Sequence, residues 1–200
     1  MLESYKSLKT EATGIYKEKG SKFIAYSYPI IDETDFKNKL SILKKKHHDA
    51  RHFCYAYRLL ANGSNYRLND DGEPNNSAGK PILGQIDSRS LTHVSVVVVR
   101  YFGGTKLGVG GLIKAYKEAA KDSIANNKII IKEIKTTYLI DFNYSDMSFI
   151  MDLAKKLNLT ILKKVLEISC QFTIECPLKD KEEFEHKIKN KLLNFKPIES

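Results

Sequence analysis

Residues 96–116 contain the densest chemical potential in the chain: four valines lead into Arg100, then Gly103, Gly104, Lys106, Gly108, Gly110 and Gly111, and on to Lys114. A strand that turns through glycines into a helix can converge backbone N–H groups on an anion, because the first turn of a helix leaves its donors without intrahelical partners. Arg100, Lys106 and Lys114 would bring positive charge to that cradle, so the chemistry suggested is phosphate binding. No nucleotide motif is complete. Gly103 and Gly108 have Walker spacing, but Val109 and Gly110 follow where Lys and Ser or Thr are needed. Gly108 and Gly110 begin a dinucleotide pattern that fails at Ile113.

A second group is acidic. Asp70, Asp71 and Glu73 fall within four residues and invite a divalent cation. An EF-hand frame fails, since Gly72 as its turn glycine puts Arg67 and Ala78 where acidic ligands belong. A turn shaped by Asp and Gly accounts for the stretch better. His47, His48 and His52 have metal-like spacing without a His-Glu-x-x-His helix. No metal is assigned. His52, Arg58 and Lys80 are further candidates for ligand contact on the same domain. Lys114, Lys117 and Lys121 form a helical stripe that could follow a phosphate backbone or simply face solvent.

These residues need elements to hold them. Residues 12–16 and 23–29 read as strands joined around residues 18–21. Asp32 caps a helix carrying Phe36, Leu40 and Leu43 that ends in Lys44, Lys45 and Lys46, cations suited to a helix C-terminus. Residues 52–59 alternate as a strand, with Phe53, Tyr55, Tyr57 and Leu59 on one face and His52, Cys54, Ala56 and Arg58 on the other. Asn62-Gly63 signals a turn into a partner strand near residues 66–68. Ser77 is placed to cap a helix running to Ile86. Residues 93–100 form a strand covered on both faces, and a helix spans 112–126. Beyond Lys132 the pattern restarts as strand 137–142, a helix capped by Ser145, strand 159–165, an alternating strand 166–175 with Leu166, Ile168, Cys170, Phe172 and Ile174 together, and a helix carrying Phe184, Ile188 and Leu192, with room for a short last strand. This order predicts a ferredoxin-like sandwich.

Composition agrees with a globular protein. The 200 residues are 42% hydrophobic, and no run approaches the roughly 18 apolar residues of a membrane span. No apolar leader is read at the N-terminus, so a cytoplasmic location is expected. The net charge of +9 is uneven: residues 1–133 hold 22 Lys and Arg against 14 Asp and Glu, whereas residues 134–200 hold 11 against 10. Anionic partners are therefore expected for the N-terminal part. Cys170 and Cys176 stand six residues apart on one predicted extended segment. That is about 20 Å at ~3.3 Å per residue, beyond disulfide reach, and reduced, buried thiols are expected.

Several stretches together resemble one family. Residues 19–23 (KGSKF), 49–58 (DARHFCYAYR), 70–74 (DDGEP), 78–83 (AGKPIL) and 100–108 (RYFGGTKLG) occur in the order seen in the YigZ/IMPACT family. The resemblance implies an α+β fold with two domains. Residues 1–133 would resemble domain 2 of ribosomal protein S5 and domain IV of elongation factor G. Residues 134–200 would be ferredoxin-like, as in domain V of that factor. Eukaryotic members restrain a starvation-activated kinase of the translation machinery by competing for its ribosome-associated activator, using an additional N-terminal RWD domain that this chain does not show. Tyr55, His48 and Asn75-Asn76 are mild departures from the family pattern.

The resulting expectation is a cytoplasmic protein that binds RNA or ribosome-associated translation factors and regulates rather than catalyses. It needs no cofactor and has no membrane partner. Arg100, Lys106 and Lys114 would contact phosphates. The alternative is a nucleotide-dependent enzyme, with triphosphate in the Gly103 to Gly111 loop and Asp70, Asp71 or Glu73 as base or magnesium ligand.

Overall fold

Alternation along strands organises the chain, because successive side chains leave a strand on opposite faces. The computed structural model describes residues 2–167, 169–191 and 193–198. The chain divides into two units, Tyr5–Lys132 and a second made of Met1–Ser4 with Glu133–Ser200. In chain order the elements are β1 (Ser4–Leu8), β2 (Ala12–Glu18), β3 (Ser21–Pro29), α1 (Glu33–Lys46), β4 (His52–Leu59), β5 (Asn65–Asn69), α2 (Gly79–Asp87), β6 (Val94–Tyr101), α3 (Gly108–Ala125) and β7 (Ile129–Glu133). They continue as β8 (Lys135–Phe142), α4 (Met147–Lys156), β9 (Thr160–Leu166), β10 (Cys170–Pro177), α5 (Lys181–Asn190) and β11 (Asn194–Ile198).

In the first unit five antiparallel strands lie in the order β2-β3-β6-β4-β5. On one face Ala25, Cys54, Ala56, Val94, Val96 and Val98 meet Ile82, Ile86, Leu112, Tyr116 and Ala119 of α2 and α3. On the other, Tyr26, Tyr28, Phe53, Tyr55, Tyr57, Val97 and Val99 meet Phe36 and Leu43 of α1. The valine run is thus buried from both sides, as its sequence implies. α1 begins as expected: the Asp32 carboxylate accepts the Asp35 N–H at 2.8 Å, and Asp35 in return accepts from Ile31 N–H at 3.1 Å.

Two helix starts differ from expectation. Ser77 does not cap α2; its hydroxyl donates to Pro74 O at 2.6 Å. The cap comes from Asp70, whose Oδ1 accepts the N–H groups of Ala78 and Gly79 at 2.9 and 2.8 Å. α3 begins at Gly108, four residues before the apolar stripe announces it, so Gly108, Gly110 and Gly111 belong to its first turn rather than to a loop. A two-stranded ribbon of β1 and β7 was not foreseen in the sequence.

The second unit has strand order β11-β8-β10-β9 with β10 antiparallel to β8 and β9, and β11 antiparallel to β8. With α4 following β8 and α5 following β10, this is the ferredoxin-like arrangement. Its core joins Tyr138, Ile140, Phe142, Ile150, Leu153, Phe172, Ile174, Phe184 and Ile188. The predicted strand 166–175 is in fact a hairpin. Leu166 ends β9, pairs with Cys170 at the start of β10 and is 56% exposed. Ser145 sits inside a 3-10 turn, Tyr144–Asp146, and makes no cap to α4. Ile168 and Leu192 lie outside the described residues. Cys54, Cys170 and Cys176 are free and buried. Among the described residues no helix is long and apolar enough to cross a membrane.

A candidate anion-binding cleft

β4 begins where β6 ends, and His52 lies opposite Arg100 in their register. Here a cleft of about 730 Å³ opens between residues of β4, β6, the Glu73-Pro74 segment and the start of α3. Its floor is a buried polar network. Arg100 Nη1 donates to Glu73 Oε1 at 2.5 Å, and the Tyr116 hydroxyl donates to the same oxygen at 2.8 Å. The two charged side chains are 8% and 4% exposed. Mutual neutralisation with an added hydroxyl donor is what permits charges so deep in the protein. Cys54 Sγ lies 3.3 Å from that hydroxyl and 3.0 Å from Asp70 O. Burial pushes both the Cys54 thiol and the Tyr116 phenol well above their ordinary values, so neither supplies an anion here. Arg100 is flanked by the rings of Phe23 and Phe102, each 5.5 Å from its guanidinium carbon. Its Nε is buried without a partner.

The rim is aromatic and carries two cations, Lys106 and Arg51, together with the exposed Asp49 carboxylate, which meets His48 Nδ1 at 2.7 Å. Lys106 and Arg51 line the cleft, are exposed and make no ion pair among the described residues. Phe102 is 57% exposed beside them. His52 Nδ1 donates to Asp71 O at 2.9 Å; a carbonyl only accepts, so a neutral ring presents Nε2 as an acceptor. α3 starts with no side-chain cap and no acidic residue in its first turn, which leaves its N–H groups and positive dipole end toward the cleft edge at Gly108 and Val109.

The residues nominated from sequence divide into those this cleft gathers and those it does not. Arg100, Lys106, Gly108, His52 and Glu73 line it. Arg100, expected as a free phosphate contact, is instead matched by Glu73. Arg58 is six residues along β4 from His52 and elsewhere engaged: its Nε donates to Asp87 at 2.6 Å and its Nη1 to Gly63 O at 2.5 Å. Lys114 lies beside Tyr16 and Glu18, and Lys80 is exposed in the first turn of α2; neither reaches the cleft lining. Gly103 has a packing role: a Cβ there would lie 1.9 Å from the backbone carbon of Gly20. Gly104 and Gly108 adopt φ values of +87° and +70°, which glycine takes without strain.

The acidic residues do not converge. Asp70 caps α2, Asp71 accepts the Phe53 N–H at 2.7 Å, and Glu73 holds Arg100. The histidines also separate, with buried His47 held between the hydroxyls of Tyr26 and Tyr101 at 2.7 and 2.9 Å. Among the described residues no group of three or more His, Cys, Asp or Glu is arranged for a metal. Sequence reasoning missed Arg51, Phe102 and Tyr116. Arg51 and Phe102 adjoin nominated positions, whereas nothing local marks Tyr116.

Comparison with known proteins places this geometry. The family model for the Impact N-terminal domain matches residues 19–124, the span that builds the cleft. A Haemophilus influenzae protein named as an IMPACT family member is 30% identical over 175 residues, covering 86% of this chain and 85% of that one. A Dictyostelium discoideum protein named as an IMPACT homolog is 38% identical over 95 residues, 46% of this chain and 27% of its own length. A crystal structure described as a hypothetical protein superposes over 100% of both chains with a TM-score of 0.75 at 27% identity. The first unit, with its S5-like sheet and helices, and the ferredoxin-like second unit therefore recur in a solved relative, and the chain belongs to the IMPACT family.

Proposed function

We propose that this chain is a regulatory protein of the cytoplasm that binds RNA, free or within the ribosome, and thereby modulates translation without catalysing a reaction. The observation that carries the reading is the cleft rim, where Lys106 and Arg51, without ion pairs among the described residues, outnumber the exposed Asp49 and share the cleft with the uncapped start of α3. The positive balance of residues 1–133 supports it, since that field draws polyanions to the same unit. In this reading residues 1–133 form the RNA-binding domain and residues 134–200 a second, smaller one. Lys106 replaces Arg100 as the principal phosphate contact. Lys114 and Lys80 would add at most outlying charge. A nucleotide-dependent enzyme would need carboxylates available for magnesium or a base, and Asp70, Asp71 and Glu73 are each bound to other groups.

Phosphate contacts position a nucleic acid without reading its sequence, so binding should be weakly sequence-dependent. Filter binding of single-stranded RNA at two salt concentrations tests the proposal. The affinity should fall as salt rises, and Lys106→Ala should flatten that dependence by about 0.7 in the log–log slope. An affinity that ignores salt, or none for any RNA, defeats the proposal.

A further inference from the structure

The cleft contains more than a cationic rim, and the additional features are of a different kind. Its lining includes an exposed aromatic ring, Phe102, and apolar side chains from the start of α3, Leu107, Val109 and Leu112. Plain attraction to phosphate requires none of these. Below them Arg100, its side chain 8% exposed and held by Glu73, closes the floor. The cleft volume of about 730 Å³ is in the range of pockets that enclose one small ligand.

Taken together with the cationic side chains of the rim, these features describe a ligand with two parts: an anion and a flat ring. We infer that the cleft holds a single nucleotide, its phosphate at Lys106 and the first N–H groups of α3 and its base against Phe102. The inference rests on the RNA-binding reading but is narrower, because it requires one nucleotide to leave the strand and enter a pocket. Stacking of this type tolerates any base, since every base has a π face. The Arg100 guanidinium lies 5.5 Å from the Phe102 ring and helps to hold that platform in place. The same chemistry is available to a free mononucleotide, and the experiment separates the two sources.

The chain has no tryptophan, so Phe102→Trp installs a single reporter on the proposed platform. It is titrated with uridine 5′-monophosphate, with ribose 5-phosphate and with a short oligouridylate. Saturable quenching by the nucleotide and the oligomer, weakened at least five-fold by Lys106→Ala and absent with ribose 5-phosphate, is the expected result. Quenching by the mononucleotide alone supports the site with the free nucleotide as its source. Equal quenching by ribose 5-phosphate overturns the stacking arrangement. If neither nucleotide nor oligomer quenches while the same variant still retains RNA on filters, the pocket assignment fails and the RNA-binding reading stands. Loss of filter retention in the unmodified protein instead removes both.

Discussion

The two faces of the five-stranded sheet are built on opposite principles. Toward α2 and α3 the strands offer small residues, Gly14, Ala25, Cys54 and Ala56, and α3 answers with Ala115, Ala119 and Ala120. The backbones come so close that a Cβ on Gly14 would lie 2.2 Å from Ser123 N. Toward α1 the strands offer Tyr26, Tyr28, Phe53, Tyr55 and Tyr57, and their rings stand between helix and sheet. Tyr55 and Tyr57 pack on Phe36 with centroids 4.7 and 4.9 Å away. The close face has little room for adjustment, and it is there that the Arg100–Glu73–Tyr116 network lies. A polar network with fixed neighbours is held in one geometry, as a binding floor requires. The aromatic face instead contains hydroxyls that find partners at the edge, such as those holding His47.

This contrast can be broken most severely at Glu73. Glu73→Ala leaves the Arg100 charge buried and uncompensated and should destabilise the protein by about 3–5 kcal/mol, read from urea unfolding. Replacing both partners, Glu73→Gln with Arg100→Met, should recover most of that loss. Failure of the double variant to recover would mean that the pair does more than neutralise itself. Tyr116→Phe removes one donor from Glu73 and should cost about 1–2 kcal/mol by the same measurement.

On the aromatic face the handle is pH. Burial, with Lys46 and Lys22 nearby, holds His47 below its ordinary value in the fold. The unfolded chain therefore takes up the proton first as pH falls below about 6.5, and stability present above that value is progressively lost on acidification. His93 shifts in the same direction, so the informative quantity is the reduced slope of Tm against pH in His47→Gln between pH 5 and 7. An unchanged slope would remove His47 from the account. The smallest effect is expected at Arg58→Ala. Its partly exposed pair with Asp87 should contribute about 1 kcal/mol or less, with no change in RNA retention because Arg58 is outside the cleft.

The fold was legible wherever periodicity had a single meaning. The alternation of residues 52–59 assigned Phe53, Tyr55, Tyr57 and Leu59 to one core and Cys54 and Ala56 to the other, and Asp32 announced α1. The misreadings share a cause. Asp70 caps α2 from eight residues upstream, displacing Ser77, and Glu73 meets Arg100 across 27 residues. Neither partnership leaves a local pattern. Leu166 to Ile174 alternated in sequence as a single strand does, yet the chain reverses between Leu166 and Cys170. Among the glycines, sequence could show that backbone freedom was needed at 103–111 but not whether a ligand or another turn required it.

Gly103 supplies that second answer. Its N–H donates to Ser21 Oγ at 3.1 Å, and its Cα leaves no room for a methyl group against Gly20, which itself has φ of +78°. The hairpin tip between β2 and β3 is thereby clasped to the segment leading into α3. Neither position can acquire a side chain unless the other withdraws, so descendants of this sequence can vary there only by moving two distant turns in concert.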